Sequence, residues 1–342
     1  MIVELTGFQR RGHQTCLLAP AGSEIYRRAQ IENTLVIPLR AGKLQFSFEI
    51  VRLAGWLRRN RIQILNTHSS RDGWLLGIAG RLAHVPFIIR TRHIDVTYPN
   101  RWLSRHAYTT LADHVLVTSN KIKAHFQEMF RLPDERISTV PTGIDLEKFS
   151  PSGAKAEFSG DSTPLIGMIS VLRSWKGHAI FLKAAAQLKA DGFAVRFIIV
   201  GDGPGRERIA GQISEMKLNA HITMTGHRED VPEILRALDV LAIPSTRHEG
   251  IPQIGLQALA VKTPVVGSNV GGIPEIIRHG ETGRIFPAED ASALAAAIQG
   301  TLRETEATKK MADAGRKLVE SNHSLEKMFA DLEFIYRRYL PL

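Results

Sequence analysis

Short runs of β-branched and other apolar residues alternate along this chain with longer stretches whose apolar positions recur every three to four residues. That alternation is the pattern of strands and helices wound into parallel α/β units. In the first half QTCLLAP, TLVIPL, IQILNTH, FIIRTRH and HVLVTS read as strands ending in small or polar residues. FSFEIVRLAGWLRRN and RDGWLLGIAGRLAHV read as helices among them. After RISTVPTGIDLEKFSPSGAKAEFSGDSTP the rhythm restarts with LIGMISV, VRFIIVGDG, ITMTGH, DVLAIPS and TPVVGS. The segment between the two sets is rich in Gly, Ser, Pro and charge, the composition of a join. The expected architecture is α/β, with two Rossmann-like doubly wound domains facing a cleft. Its parts are a first domain over 1–145, a linker over 146–163 and a second domain over 164–322, with a C-terminal helix over 323–342 packing back toward the first.

A doubly wound domain normally opens with a strand and a glycine-rich turn. Here the helix-like VELTGFQRRGHQ comes first, so the expectation is a first domain lacking that strand and turn.

Composition narrows the picture. A chain of 342 residues has room for two domains. Cys16 is the only cysteine, which excludes an intrachain disulfide and a cysteine-rich metal site. Glu4, Arg10 and Arg11 break up the opening residues, so no secretory leader is expected. No apolar run approaches the roughly 20 residues of a membrane span. A cytoplasmic location follows as the expectation. Nearly all of the net charge of +10 lies in residues 1–150, with 21 Lys and Arg against 12 Asp and Glu. Such a surface suits nucleic acid, an anionic membrane or an anionic substrate, and a merely solvated face has the same composition. With 7% aromatic residues and no recognition motif, nucleic acid is not expected as a partner.

Ligands of doubly wound sheets sit beyond the C-terminal strand ends, so candidate chemistry is sought there. After LIGMISVL comes RSWKGH, with Arg173 and Lys176 ahead of a helix. Two cations suit a diphosphate; an exposed basic turn uses the same residues. GDGPG, containing Gly203, enters another helix, whose unpaired N–H groups attract anions. Tight turns need such glycines as well. After DVLAIPS comes RHEGIPQIGLQALA, in which Glu249 either caps first-turn amides or accepts hydrogen bonds from sugar hydroxyls. Gln257, on the helix that follows, is either a solvent-facing residue or a second hydroxyl partner. In the first half NTHSSRDGW and IIRTRHIDV each place a histidine, His68 and His93, just after a strand.

Taken in order, RSWKGH, VGDGP, STRHEGIP and VKTPVVGSNVGGIPEIIRHGETG resemble the donor half of the retaining glycosyltransferases of family 4, which have the GT-B fold. PTGIDLEKFSP resembles that family's interdomain segment, with Thr142 where an asparagine is usual. The resemblance is close over about 140–290 and looser over the first half. It implies that Lys176 and Arg173 bind the diphosphate of a nucleotide-sugar donor, UDP-, GDP- or ADP-linked, with Gly203 on the donor side. It implies that Glu249 faces the transferred sugar and that the amides of Gly250 and Ile251 reach phosphate and sugar. His93 and Glu249 would be the catalytic residues, with His68 and Arg71 on the acceptor side. The family's second glutamate, which usually holds the ribose, is here Gln257, keeping an acceptor oxygen and losing the charge. Arg173 also stands closer to the lysine than the family's arginine usually does.

The implied activity is retaining transfer of a sugar to a lipid-linked or polysaccharide acceptor in cell-envelope biosynthesis, with the basic first domain on an anionic membrane surface. Neither a metal nor another cofactor is expected. The alternatives are a nucleotide-sugar epimerase of the same fold and a donor-binding protein that does not transfer.

Overall fold

The computed structural model describes residues 1–40, 46–93, 101–158 and 162–340. The first domain runs α1 (Ile2–Arg10), β1 (Cys16–Pro20), α2 (Glu24–Ile31), β2 (Leu35–Leu39), α3 (Phe46–Arg59), β3 (Ile64–Thr67), α4 (Ser70–Ala83), β4 (Phe87–Arg92), α5 (Arg101–Thr109), β5 (His114–Val117), α6 (Asn120–Phe130) and β6 (Ile137–Thr139). The second continues with β7 (Leu165–Ile169), α7 (His178–Ala190), β8 (Arg196–Val200), α8 (Arg206–Glu215), β9 (Ile222–Gly226), α9 (Val231–Ala237), β10 (Val240–Ile243), α10 (Gln253–Ala260), β11 (Val265–Ser268), α11 (Ile273–Ile276), β12 (Arg284–Phe286), α12 (Ala291–Arg303), α13 (Thr305–Asn322) and α14 (Leu325–Tyr339).

The second domain is one six-stranded parallel sheet in the order β12-β11-β10-β7-β8-β9. Its strands are buried on both faces, hence their continuous apolar runs. Ile166, Met168, Val240 and Ala242 pack one face against α7 and α12. Leu165, Leu241, Ile243 and Val265 pack the other against α9 to α11. The first domain holds β3-β4-β5-β6 in one parallel sheet, while β1 and β2 pair only with each other. No strand among the described residues bridges β1 and β3.

Part of the segment that reads as a linker by composition is fastened to the second domain, although residues 151–155 are exposed. Phe149 belongs to the second domain's core, as does Ile144 just ahead of the segment. Arg236 of α9 donates to the carbonyls of Ser150, Ala154 and Lys148. The last helix crosses to the first domain. Ser324 caps it, accepting from the Lys327 amide. Met328, Phe329, Leu332, Ile335 and Tyr336 then recur on one face. They meet Phe8, Phe87, Ile89 and Leu116.

Beneath this helix lies His114, fully buried, with Nδ1 3.0 Å from the Tyr339 hydroxyl and Nε2 3.0 Å from Ser138 Oγ. Burial first, then Arg338, Arg136 and Lys123, lowers its pKa to about 4. Burial likewise lowers His178 and His323 to about 4. In the unfolded chain a histidine titrates near 6.5. Between those values the unfolded state binds protons that the folded state refuses, so stability is intact above pH 6.5 and drains as pH falls toward 4. Each such histidine contributes about 1.4 kcal/mol per pH unit across that window. Urea midpoints are therefore expected to fall steadily from pH 6.5 to pH 5, less steeply in His114→Gln. A flat profile over that range would contradict the assignment.

Candidate active site

At the switch point of a doubly wound sheet, diverging loops leave a crevice beyond the strand ends. In the second domain that point lies between β7 and β10. The loop after β7 carries Arg173 and Lys176, and the loop after β10 carries Ser245, Glu249, Gly250 and Ile251. Lys176 Nζ lies 2.5 Å from Glu249 Oε1. Ser245 Oγ donates to the same oxygen at 2.6 Å. Ser268, closing β11, donates to the Ser245 carbonyl at 2.6 Å. A carboxylate only 6% exposed is thus anchored through one oxygen. Among the described residues nothing donates to its other oxygen, Oε2. Nor has the Gly250 or the Ile251 amide an acceptor among them.

The two loops meet closely because glycine permits it. A Cβ on Gly177 would stand 1.7 Å from the Pro244 carbonyl oxygen, and its φ of +81° is one that glycine adopts without strain. The Thr246 amide then donates to the Trp175 carbonyl at 2.8 Å. Gly250 faces the first domain: a Cβ there would lie 2.6 Å from the His93 carbonyl oxygen and 2.8 Å from Thr118 Oγ1. The backbone beside Glu249 therefore abuts the end of β4.

At that end two histidines form a unit. His68 Nδ1 and His93 Nε2 are 3.1 Å apart, and the rings stack at 7° with centroids 5.4 Å apart. Adjacency of β3 and β4, in register at Thr67 and Arg90, brings them together. Loss of hydration, and then neighbouring positive charge, lowers the half-buried His68 to about 3 and His93, which keeps a face open to solvent, to about 4. Both are neutral at pH 7. One proton lies between them, and Nδ1 is the His93 nitrogen outside the pair.

The remaining residues singled out in the sequence are spread around this centre. Arg173 is exposed, with its guanidinium 5.1 Å from the Trp175 ring centroid. The Gly203 amide is engaged by its neighbour, donating to Asp202 Oδ1 at 2.7 Å. Arg71 is exposed in the first turn of α4, three residues beyond His68. Gln257 is half-buried in the second turn of α10, its amide without a hydrogen bond among the described residues. Ile251 is half-buried in the loop before that helix. Sequence reasoning passed over Ser245, Ser268, Thr118 and Trp175. Ser245 stands two residues past β10 and Ser268 is the last residue of β11, and that place at the end of an apolar run was the available signal.

Two family models match, together spanning most of the chain: Glycosyltransferase Family 4 over residues 4–148 and Glycosyl transferases group 1 over residues 154–318. Among curated relatives, the α-D-kanosaminyltransferase of Streptomyces kanamyceticus is 24% identical over 82% of this chain and 81% of its own length. The UDP-Gal:α-D-GlcNAc-diphosphoundecaprenol α-1,3-galactosyltransferase of Escherichia coli is 28% identical over 70% of this chain and 66% of its own length. Among solved structures, a glycosyltransferase from Rickettsia africae superposes with a TM-score of 0.87, covering 99% of this chain and 93% of that one at 22% identity.

Proposed function

This chain is a glycosyltransferase belonging to family 4, with the GT-B fold, and from that premise we propose that it moves a sugar from a nucleoside diphosphate donor to an acceptor hydroxyl with retention. One observation carries the reading. At the switch point a buried carboxylate is anchored by Lys176 and Ser245 through one oxygen, and among the described residues its other oxygen and the two amides that follow it have no partner. Oε2 of Glu249 accepts hydrogen bonds from sugar hydroxyls. The Gly250 and Ile251 amides, Lys176 and Arg173 face the diphosphate. As the bond from the anomeric carbon to the phosphate oxygen breaks, these groups carry the charge left on the leaving group, an effect of preorganised electrostatics. The acceptor oxygen then bonds to that carbon from the same face, and its proton passes to the departing phosphate oxygen. Neutral His93 holds a sugar hydroxyl across the cleft.

Gln257 takes the ribose through its carbonyl oxygen. Calorimetric titration with UDP-, GDP- and ADP-linked sugars tests the donor site: one series binds, Gln257→Glu preserves its affinity, and Gln257→Leu weakens it about tenfold, the worth of one hydrogen bond. Unchanged affinity in the leucine variant would take Gln257 out of the site, and no binding by any series would remove the donor reading.

The acceptor is a lipid-linked or polysaccharide precursor of the cell envelope, reached from the cytoplasmic face of the membrane. The support is the basic first domain with exposed Phe48 and Val51 one turn apart on α3, followed by Arg58 and Arg59. No helix among the described residues is long and apolar enough to cross a membrane. Sedimentation with anionic vesicles, released by salt and absent with neutral ones, is the expected result. Equal binding to both vesicle types, or to neither, would oppose it.

A further inference from the structure

The glycine turn before α11 is built into the donor loop. Gly271 has φ +58°, and a Cβ on it would stand 2.1 Å from the Glu249 carbonyl oxygen. A Cβ on Gly272 would meet the Gly250 carbonyl group at 2.9 Å. The turn and the Glu249–Gly250 backbone therefore move together. Four residues beyond Gly271 comes Glu275, and its side chain leaves its own domain. Oε2 accepts from the Asn120 amide at 2.9 Å and Oε1 from the Lys121 amide at 3.1 Å. These are the first two amides of α6, whose third, that of Ile122, is taken by Ser119 Oγ at 3.2 Å. The first amides of a helix lack partners within the helix, and its N-terminus favours negative charge. Local residues usually supply the cap. Here a carboxylate 155 positions away in sequence does so.

We propose that Glu275 is the positioning residue that sets the transfer-competent approach of the two domains, by capping α6 of the first domain from the second. Ser119 follows Thr118, and Thr118 Oγ1 donates to the His93 carbonyl at 3.3 Å. One short segment of the first domain thus receives both Gly250 and Glu275. Docking the carboxylate on α6 and docking the donor loop on β4 are a single rigid-body event, and it aligns His93 with the sugar beside Glu249. The donor itself is held by the second domain, so losing the cap removes alignment and leaves donor affinity.

The inference rests on the transfer reading for its kinetic consequence, and a distance measurement separates the two. Glu275→Ala removes the acceptor oxygens. Asn120→Pro removes one donor from the other side, and proline is tolerated at a first helical position when the preceding residue is extended. Ser119 is extended, with φ −147° and ψ 153°. Spin labels on Glu128→Cys and Glu306→Cys in a Cys16→Ser background report the domain separation. The expected result is a longer, broader distance distribution in Glu275→Ala and in Asn120→Pro, with no further change in the double variant. Transfer kcat is expected to fall about tenfold in Glu275→Ala, by less in Asn120→Pro, which keeps the Lys121 bond, and in the double variant no further than in Glu275→Ala, with donor Kd within threefold of the parent throughout. Wild-type distances in Glu275→Ala, or additive losses in the double variant, would overturn the proposal whether or not the protein turns over a donor. Turnover absent from the parent, with the distances shifting as described, would overturn the transfer reading and leave the cap standing.

Discussion

Replacing Lys176 by alanine is expected to slow sugar transfer by about 10²–10³-fold, the typical effect of removing one preorganised donor from a developing anion. The same change has a second effect. It leaves Glu249, 6% exposed, with Ser245 as its one remaining anchor among the described residues. Removing one partner of a buried ion pair costs about 3–5 kcal/mol, and the lysine side chain is a quarter exposed, so about 2 kcal/mol is expected here. The two effects separate in the double variant Lys176→Ala/Glu249→Gln. A neutral amide accepts from Ser245 without carrying an unpaired charge, so thermal stability recovers. Transfer does not, because the cation proposed to face the diphosphate is still absent. Thermal melts and initial rates on the three proteins check both statements. Recovery of transfer along with stability would mean that the ion pair is structural and that the donor binds elsewhere.

Gly250→Ala is the second large effect, and it acts across the cleft. Gly250 does not have the positive φ that would bar alanine. Within its own domain the substitution is tolerated. Its methyl group instead meets the His93 carbonyl oxygen at 2.6 Å and Thr118 Oγ1 at 2.8 Å, both in the first domain. Packed backbone does not yield by that much without separating the surfaces. The expected outcome is a fall in kcat of about 100-fold with donor affinity within threefold of the parent. Steady-state kinetics alongside calorimetry decide it. A parental kcat would show that contact of the donor loop with β4 is dispensable for transfer.

Lys176 and Glu249 were legible in the sequence because a doubly wound sheet concentrates ligand contacts at strand ends, and both residues lie in the loops that leave apolar strands. That they pair with each other was not legible. Seventy-three positions separate them, and only the strand order, with β7 beside β10, brings their loops together. The histidines are similar: each could be placed after a strand, but their contact depends on the pairing of β3 with β4. Gly250 reads locally as a turn residue, whereas its side-chain-free surface serves a carbonyl in the other domain. Over 146–163 the Gly, Ser, Pro and charge of the sequence read as a join, and composition carried no sign of what its residues touch. Phe149 and the Arg236 guanidinium fasten that segment to the second domain's core.

The central claim is that the crevice between Lys176, Glu249 and His93 transfers a sugar from a nucleotide donor. Its most direct test is the rate of nucleoside diphosphate release from UDP-, GDP- and ADP-linked sugars, with and without a membrane extract as acceptor, for the parent, Lys176→Ala and Glu249→Ala. One nucleotide sugar should give release that depends on the acceptor, accompanied by a new glycosidic bond, and both variants should lose it. Parental rates in both variants, or release that forms no glycoside with any acceptor fraction, would contradict the account.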